Sequence, residues 1–256
     1  MIEKRLGRIT APHHIFHRLT ISSNNNNNPI NNILTTTMLV TDYLVIGAGA
    51  ASMAFVDTLL TESSANNDNV SLIIVDRHTQ PGGHWNDAYG FVRLHQPSLL
   101  YGVASQKLEG SWLKLLARRG MLPWQHRASK MEILDYYQVI LAKWVASGKV
   151  QYFPESSYHF EKDASTDGSI HKFTDEKTNK TYQVRVREKL VNGVVGECRV
   201  PSKTPPAFPI QENIQLLTPN EVFELQKNEP SKWLCANPSK STSKQYVVLG
   251  GGKTVR

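Results

Sequence analysis

Between Thr41 and Asp76 the apolar positions fall in two short, unbroken runs. "DYLVIG" and "VSLIIVD" are continuous β-branched and aliphatic stretches, the pattern of strands covered on both faces. Between them, "AASMAFVDTLLTE" reads as a helix that starts on small residues, and "SSANNDN" as the turn that ends it. Strand, glycine turn, helix, turn and strand in about thirty-five residues predict a βαβ unit. Its strands should be parallel and its crossover right-handed.

Further on, "SKMEILDYYQVILAKWVASGK" carries a longer helical pattern. Ser129 and Glu132 have the spacing of a capping box, and Gly148 suits a left-handed C-terminal cap. Ile133, Tyr137, Ile140, Leu141 and Trp144 recur at helical spacing and form one apolar stripe, which argues core packing for these aromatics. "KVQYF" then predicts a third parallel strand. From about residue 155 to residue 200 the rhythm becomes alternating and mixed in charge, with turns at "DASTDGS" and "DEKTNK". That predicts an antiparallel meander, a different substructure attached to the parallel sheet. The expected architecture is α/β: a doubly wound parallel sheet of Rossmann type with an antiparallel β insertion.

The chain has 29 Lys and Arg against 22 Asp and Glu, a formal charge of +7. Part of this excess lies at the start, where Lys4, Arg5, Arg8 and Arg18 face only Glu3. Elsewhere both signs are interleaved, so a nucleic-acid surface is not expected. Residues 1–40, with the tract "SSNNNNNPINN", read as a disordered extension or a basic targeting leader; His13, His14 and His17 lie in it without a fold to make them metal ligands. No run of eighteen apolar residues occurs, so no membrane-spanning helix is expected. Cys198 and Cys235 stand outside any CxxC pair, which gives no metal site and fits a reducing compartment. A cytoplasmic location follows, with a mitochondrial one as the alternative if the leader is a transit peptide.

The chemistry concentrates in "YLVIGAGAASMA". Gly47 is placed to make a tight turn after the strand, and Gly49 to let the backbone approach a pyrophosphate. Ala50, Ala51 and Ser52 open the helix, whose free amides and positive dipole end would face the phosphates. Ser52 holds the third position of GxGxxG, where a small side chain lets helix and strand pack closely. Asp76, at the end of the second strand, is placed to accept the hydroxyls of an adenosine ribose and to repel a 2′-phosphate. Arg77, directly after it, is expected to face adenine or solvent. The motif predicts a bound dinucleotide, FAD or NAD.

A second glycine pair follows in "DRHTQPGGHWNDAYGFVRLHQPS". An acid, a short spacer and GGxW in this place resemble the flavin-containing monooxygenases and their two-dinucleotide relatives, over about Thr41 to the end of the chain. The resemblance implies that FAD is the first cofactor, that Gly83 lets the backbone pass close to it, and that His84, Trp85 and His95 run towards the flavin. Read from the residues alone, Trp85 is equally a core aromatic and His95 a structural histidine, and no catalytic residue is named. The tail "KQYVVLGGGKTVR" is a strand followed by Gly250, Gly252 and Thr254, which matches the start of a second glycine turn over residues 245–256. In the resembling proteins that turn receives NAD(P)H. A phosphate loop is excluded, because the position that needs glycine is Val247. The expectation is a FAD-binding domain over residues 41–240 and a truncated NAD(P)H-binding unit, in a fragment that lacks stand-alone activity. Two alternatives stay open: an NAD-only dehydrogenase or reductase, and a non-catalytic relative that serves as an interaction surface.

Overall fold

The computed structural model describes residues 38–109, 126–160, 168–194, 204–229 and 247–249. Residues 1–37 of the expected leader and Gly250, Gly252 and Thr254 of the second glycine turn lie outside them, while Met38, Leu39 and Val40 belong to the first strand. Strand β1 spans Met38–Ile46, four residues longer at its start than "DYLVIG" suggests, and helix α1 spans Ala50–Ala65. Strand β2 is Leu72–Val75, helix α2 is Lys130–Ala146 and strand β3 is Val150–Phe153. Strands β4 (Ser156–Tyr158), β5 (Ile170–Asp175) and β6 (Lys180–Asn192) follow, and a short helix α3 covers Pro219–Asn228.

All six strands form one sheet in the order β3-β2-β1-β6-β5-β4. Pairs β3–β2, β2–β1 and β1–β6 are parallel, whereas β6–β5 and β5–β4 are antiparallel. The α/β fold with an antiparallel part is therefore present, with one difference from the sequence reading. The meander is not a separate substructure, because its last strand lies beside β1 and extends the parallel sheet.

The helices pack on one face. Met53, Val56 and Leu60 of α1 and Ile133, Tyr137, Ile140 and Leu141 of α2 meet Val45, Leu72, Ile74 and Val150 of the sheet. The capping box at Ser129 and Glu132 is formed, and Gly148 takes a left-handed φ of +75° just past the helix. Leu44, Ile46, Ile73 and Val75 point to the opposite face. There they meet Phe173, Val184 and Val186, with Phe153, Tyr158 and Tyr182 at the margin. The rings of Phe153 and Phe173 lie 4.8 Å apart although three strands separate β3 from β5 in the sheet order. The sheet therefore curls upon itself, and the antiparallel strands fill the face that α1 and α2 leave open.

The backbone at the end of β2 is pinned from two sides by this curl. The Asp76 amide donates to Phe153 O of β3 (3.0 Å), and the Ser156 amide of β4 donates to Asp76 O (2.9 Å). Among the described residues, no helix is long and apolar enough to cross a membrane.

Candidate functional site

The carboxyl ends of β2, β1 and β6 lie side by side, and the motif residues collect at this edge. Chain connections leave β1 towards β2 and β3 on one side, while β6 fills the other. That makes the β1–β6 boundary a topological switch point, where open α/β sheets leave a crevice for ligands. Gly47 takes a φ of +87°, which an L side chain rarely adopts, and its amide donates to Val75 O at 2.8 Å. The chain thereby turns sharply off β1 and enters α1.

Gly49 is the N-cap of α1 in extended conformation, and no side chain caps the helix. Neither does any acidic residue stand in its first turn. The unpaired amides at this end keep their capacity for an external anion, and the small side chains of Ala50 and Ala51 leave them accessible. A pyrophosphate fits this donor set.

Ser52 is buried and its hydroxyl has no hydrogen-bond partner among the described residues. It packs against Gly193, which follows the end of β6: a Cβ added there would lie 1.8 Å from Ser52 Oγ and 3.2 Å from its Cβ. The small-residue requirement at the third motif position therefore comes from β6 as well as from the helix. We expect Gly193→Ala to lower stability by about 1–3 kcal/mol. Ser52→Ala, which deletes an unsatisfied hydroxyl, should cost nothing or stabilise slightly. Chemical denaturation of both variants checks the pair.

Asp76 is 4% exposed and its carboxylate is heavily engaged. Oδ2 accepts from the Ala48 amide at 2.5 Å, so the residue closes the glycine turn from β2. Oδ1 accepts from the His78 amide at 2.7 Å and meets His78 Nδ1 at 2.9 Å. The other ring nitrogen, Nε2, meets Asp87 Oδ2 at 3.0 Å, and Arg77 reaches the same oxygen at 3.5 Å with its guanidinium mostly in solvent. Hydrogen bonding to Asp76 raises the His78 pKa above its ordinary value; burial opposes this, and Asp87 adds to it. Of about four acceptor positions on a carboxylate, three on Asp76 are filled from within the chain. One remains on Oδ2.

The second glycine pair packs directly on the first turn. Gly82 donates to Ala48 O at 2.8 Å, and a Cβ on Gly83 would lie 2.8 Å from Gly49 Cα. Both glycines have positive φ, +127° and +56°. They lead into a 3₁₀ turn, Gly83–Trp85, which places His84 at the surface and turns Trp85 inward. Trp85 is a core residue: it is 7% exposed, and its indole donates to Tyr101 Oη at 3.0 Å. Tyr137 donates to the same oxygen at 3.0 Å, and burial holds the Tyr137 phenol well above its usual pKa. His95 is exposed, and its carbonyl accepts from Arg127 Nε at 3.1 Å.

The structure thus brings together Gly47, Gly49, Ala50, Ala51, Ser52, Asp76 and Gly83. Trp85 is buried in the core and the side chains of His84 and His95 are exposed, while Gly250, Gly252 and Thr254 lie outside the described residues. The sequence reading missed His78, Asp87 and Gly193. A histidine two residues after the strand-end acid and a glycine closing a long strand are the signals that could have raised the first and last. It also missed α3, although Thr218 and Glu221 with Pro219 between them spell a capping box with proline at the first helical position. Asn220 of α3 donates to Asp87 O at 3.1 Å, and Phe223 lies against Gly90.

No family model matches the chain. Proteins described as uncharacterized from Mycobacterium bovis and Mycobacterium tuberculosis are 36% identical to it over 223 residues, covering 84% of this chain and 34% of theirs. The chain therefore spans about a third of the length of the curated relatives it matches. Among solved structures, the reduced form of ornithine hydroxylase from Pseudomonas aeruginosa aligns over 64% of this chain and 41% of its own, with 14% identity and a TM-score of 0.48. A flavin-containing monooxygenase from Stenotrophomonas maltophilia aligns over 61% and 38%, with 18% identity and a TM-score of 0.42.

Proposed function

We propose that this chain carries the FAD-binding part of a flavin-dependent oxidoreductase, monooxygenase-like and reduced by NAD(P)H in its complete form. One observation carries the reading: the backbone of Gly83 rests on that of Gly49, at a helix end whose amides no side chain caps. Two separate glycine motifs, thirty-four residues apart, are spent on a bare backbone surface at the carboxyl edge of a parallel sheet. An apolar core has no use for such a surface, whereas a pyrophosphate does.

In this reading the first turn of α1 holds the pyrophosphate, and the remaining acceptor position on Asp76 takes one ribose hydroxyl. The order of motifs, with GGHW after the strand-end acid, favours FAD over NAD as the first nucleotide. FAD, when bound, supplies the electron-transfer chemistry, and the protein contributes binding and orientation. Trp85 is buried and His84 and His95 are exposed, and no catalytic residue is assigned among them. Electron acceptor and substrate would be set by parts of the protein beyond this sheet.

The direct test is to incubate the purified chain with excess FAD, desalt it and record its visible spectrum. A retained flavin band is the expected result. A colourless, folded protein that binds NAD tightly by calorimetry would replace the reading with an NAD-only enzyme. A second reading draws on Asp76, whose carboxylate is mostly engaged within the chain, as in a relative that keeps the fold as an interaction surface. Cooperative folding without binding of FAD, NAD or ADP would favour it.

A further inference from the structure

We propose that His78 is a positioning residue for the nucleotide site: it ties the carboxylate that closes the first glycine turn to the loop that carries the second. The proposal rests on the nucleotide-binding reading above and adds to it a residue that neither glycine motif contains.

The geometry is a three-residue bridge. His78 Nδ1 lies 2.9 Å from Asp76 Oδ1, and Nε2 lies 3.0 Å from Asp87 Oδ2. Asp76 belongs to the end of β2 and holds the Ala48 amide of the first turn. Asp87 belongs to the segment after Gly82 and Gly83, and its own amide donates to His84 O at 3.1 Å. The imidazole therefore spans the twelve-residue segment from Asp76 to Asp87 and fastens its two ends. The His78 main chain is fixed as well, because the Glu155 amide at the start of the β4 curl donates to its carbonyl at 3.0 Å. Without the bridge, Asp76 loses a donor that sets its rotamer, and Gly83 loses a tether that presses it onto Gly49.

The protonation state follows from the partners. A neutral imidazole has one N–H, so it can donate to only one of two carboxylates and must turn a lone pair on the other. Both contacts are satisfied at once by the imidazolium. The charged groups around the bridge agree with this. Asp76 and Asp87 flank the ring, Arg77 approaches Asp87 from solvent, and Lys130 of α2 lies within electrostatic reach of Asp87. Tyr152 of β3, near Asp76, is kept neutral by burial. The raised pKa of His78 has the same sense. A group whose pKa is higher in the folded state than its ordinary 6.5 contributes fully below that value. Its contribution fades as pH rises through the raised folded value. The bridge should therefore hold at mildly acid pH and open on the alkaline side.

The experiment uses the full chain and FAD, whose pyrophosphate keeps its charge over the range of interest. Dissociation constants are measured by flavin fluorescence between about pH 6 and pH 9, the interval in which a raised histidine titrates. The natural chain should lose about tenfold in affinity across the range as the bridge opens. His78→Gln keeps one neutral donor; it should bind at the level of the natural chain at high pH and show a flat profile. A flat profile for the natural chain, or an unchanged slope in His78→Gln, would overturn the proposal. Failure of the natural chain to bind at any pH would sink the nucleotide reading instead. Melting temperatures of both proteins across the same range then decide the bridge alone. Loss of stability with rising pH in the natural chain, absent from His78→Gln, supports it, and parallel curves refute it.

Discussion

Gly83→Ala should abolish retention of FAD and lower the stability of the chain by about 2–5 kcal/mol, the sum of overpacking and left-handed strain. The new methyl would sit 2.8 Å from Gly49 Cα, a backbone atom that cannot swing aside as a side chain would. Relief would require the second glycine loop to lift off the first turn. That would stretch the Gly82–Ala48 hydrogen bond and move the surface on which the pyrophosphate rests. Gly148→Ala is the matched control. It has a similar positive φ of +75°, but its added Cβ meets nothing within 4 Å, so only the strain of about 1–2 kcal/mol remains. Urea denaturation and FAD retention of the two variants separate the effects. Equal losses in both would show that the Gly49–Gly83 contact is unimportant.

Asp76→Ala should cost about 3–5 kcal/mol of stability, the range found when one partner of a buried charge pair is removed. Three bonds disappear together. The buried Ala48 amide loses its acceptor at the centre of the turn, and His78 loses both its amide and its ring partner on that side. Nucleotide binding should fall by two orders of magnitude or more, because a turn with an unsatisfied amide no longer holds its shape. Asp76→Asn distinguishes the roles of shape and charge. Its carbonyl oxygen can still accept from Ala48, so it should recover much of the stability while weakening the bridge to His78. If Asp76→Ala melts like the natural chain, the turn does not depend on β2.

Much of this was legible locally. The two apolar runs, the small residues between them and the capping box at Ser129 each depend on neighbours within one turn or strand, and each element formed where its pattern lay. The glycine turn was legible for the same reason: Gly47 needs its φ whatever lies around it. The contacts that complete the site are of another kind. Gly83 meets Gly49 across thirty-four residues, and Gly193 meets Ser52 across more than a hundred. Nothing in the period of β6 distinguishes an antiparallel partner from a parallel one, so its place beside β1 could not be read from alternation alone. For Trp85 the residue type fitted core and cofactor site equally, and its burial, with the indole bonded to Tyr101, places it inside.

The pairing of β1 with β6 also sets an order of events at the ribosome. Strand β1 emerges early, yet the strand that covers its second edge follows about 140 residues later. At ordinary synthesis rates of about 5–20 residues per second, that edge waits roughly 7–28 s with its amides and carbonyls unpaired. Throughout this interval the β1–α1–β2 unit of the nascent chain offers an open strand to any other polypeptide nearby. Gly193, which donates to Ile46 O at 2.9 Å and packs against Ser52, reaches the glycine turn only at the end of this wait.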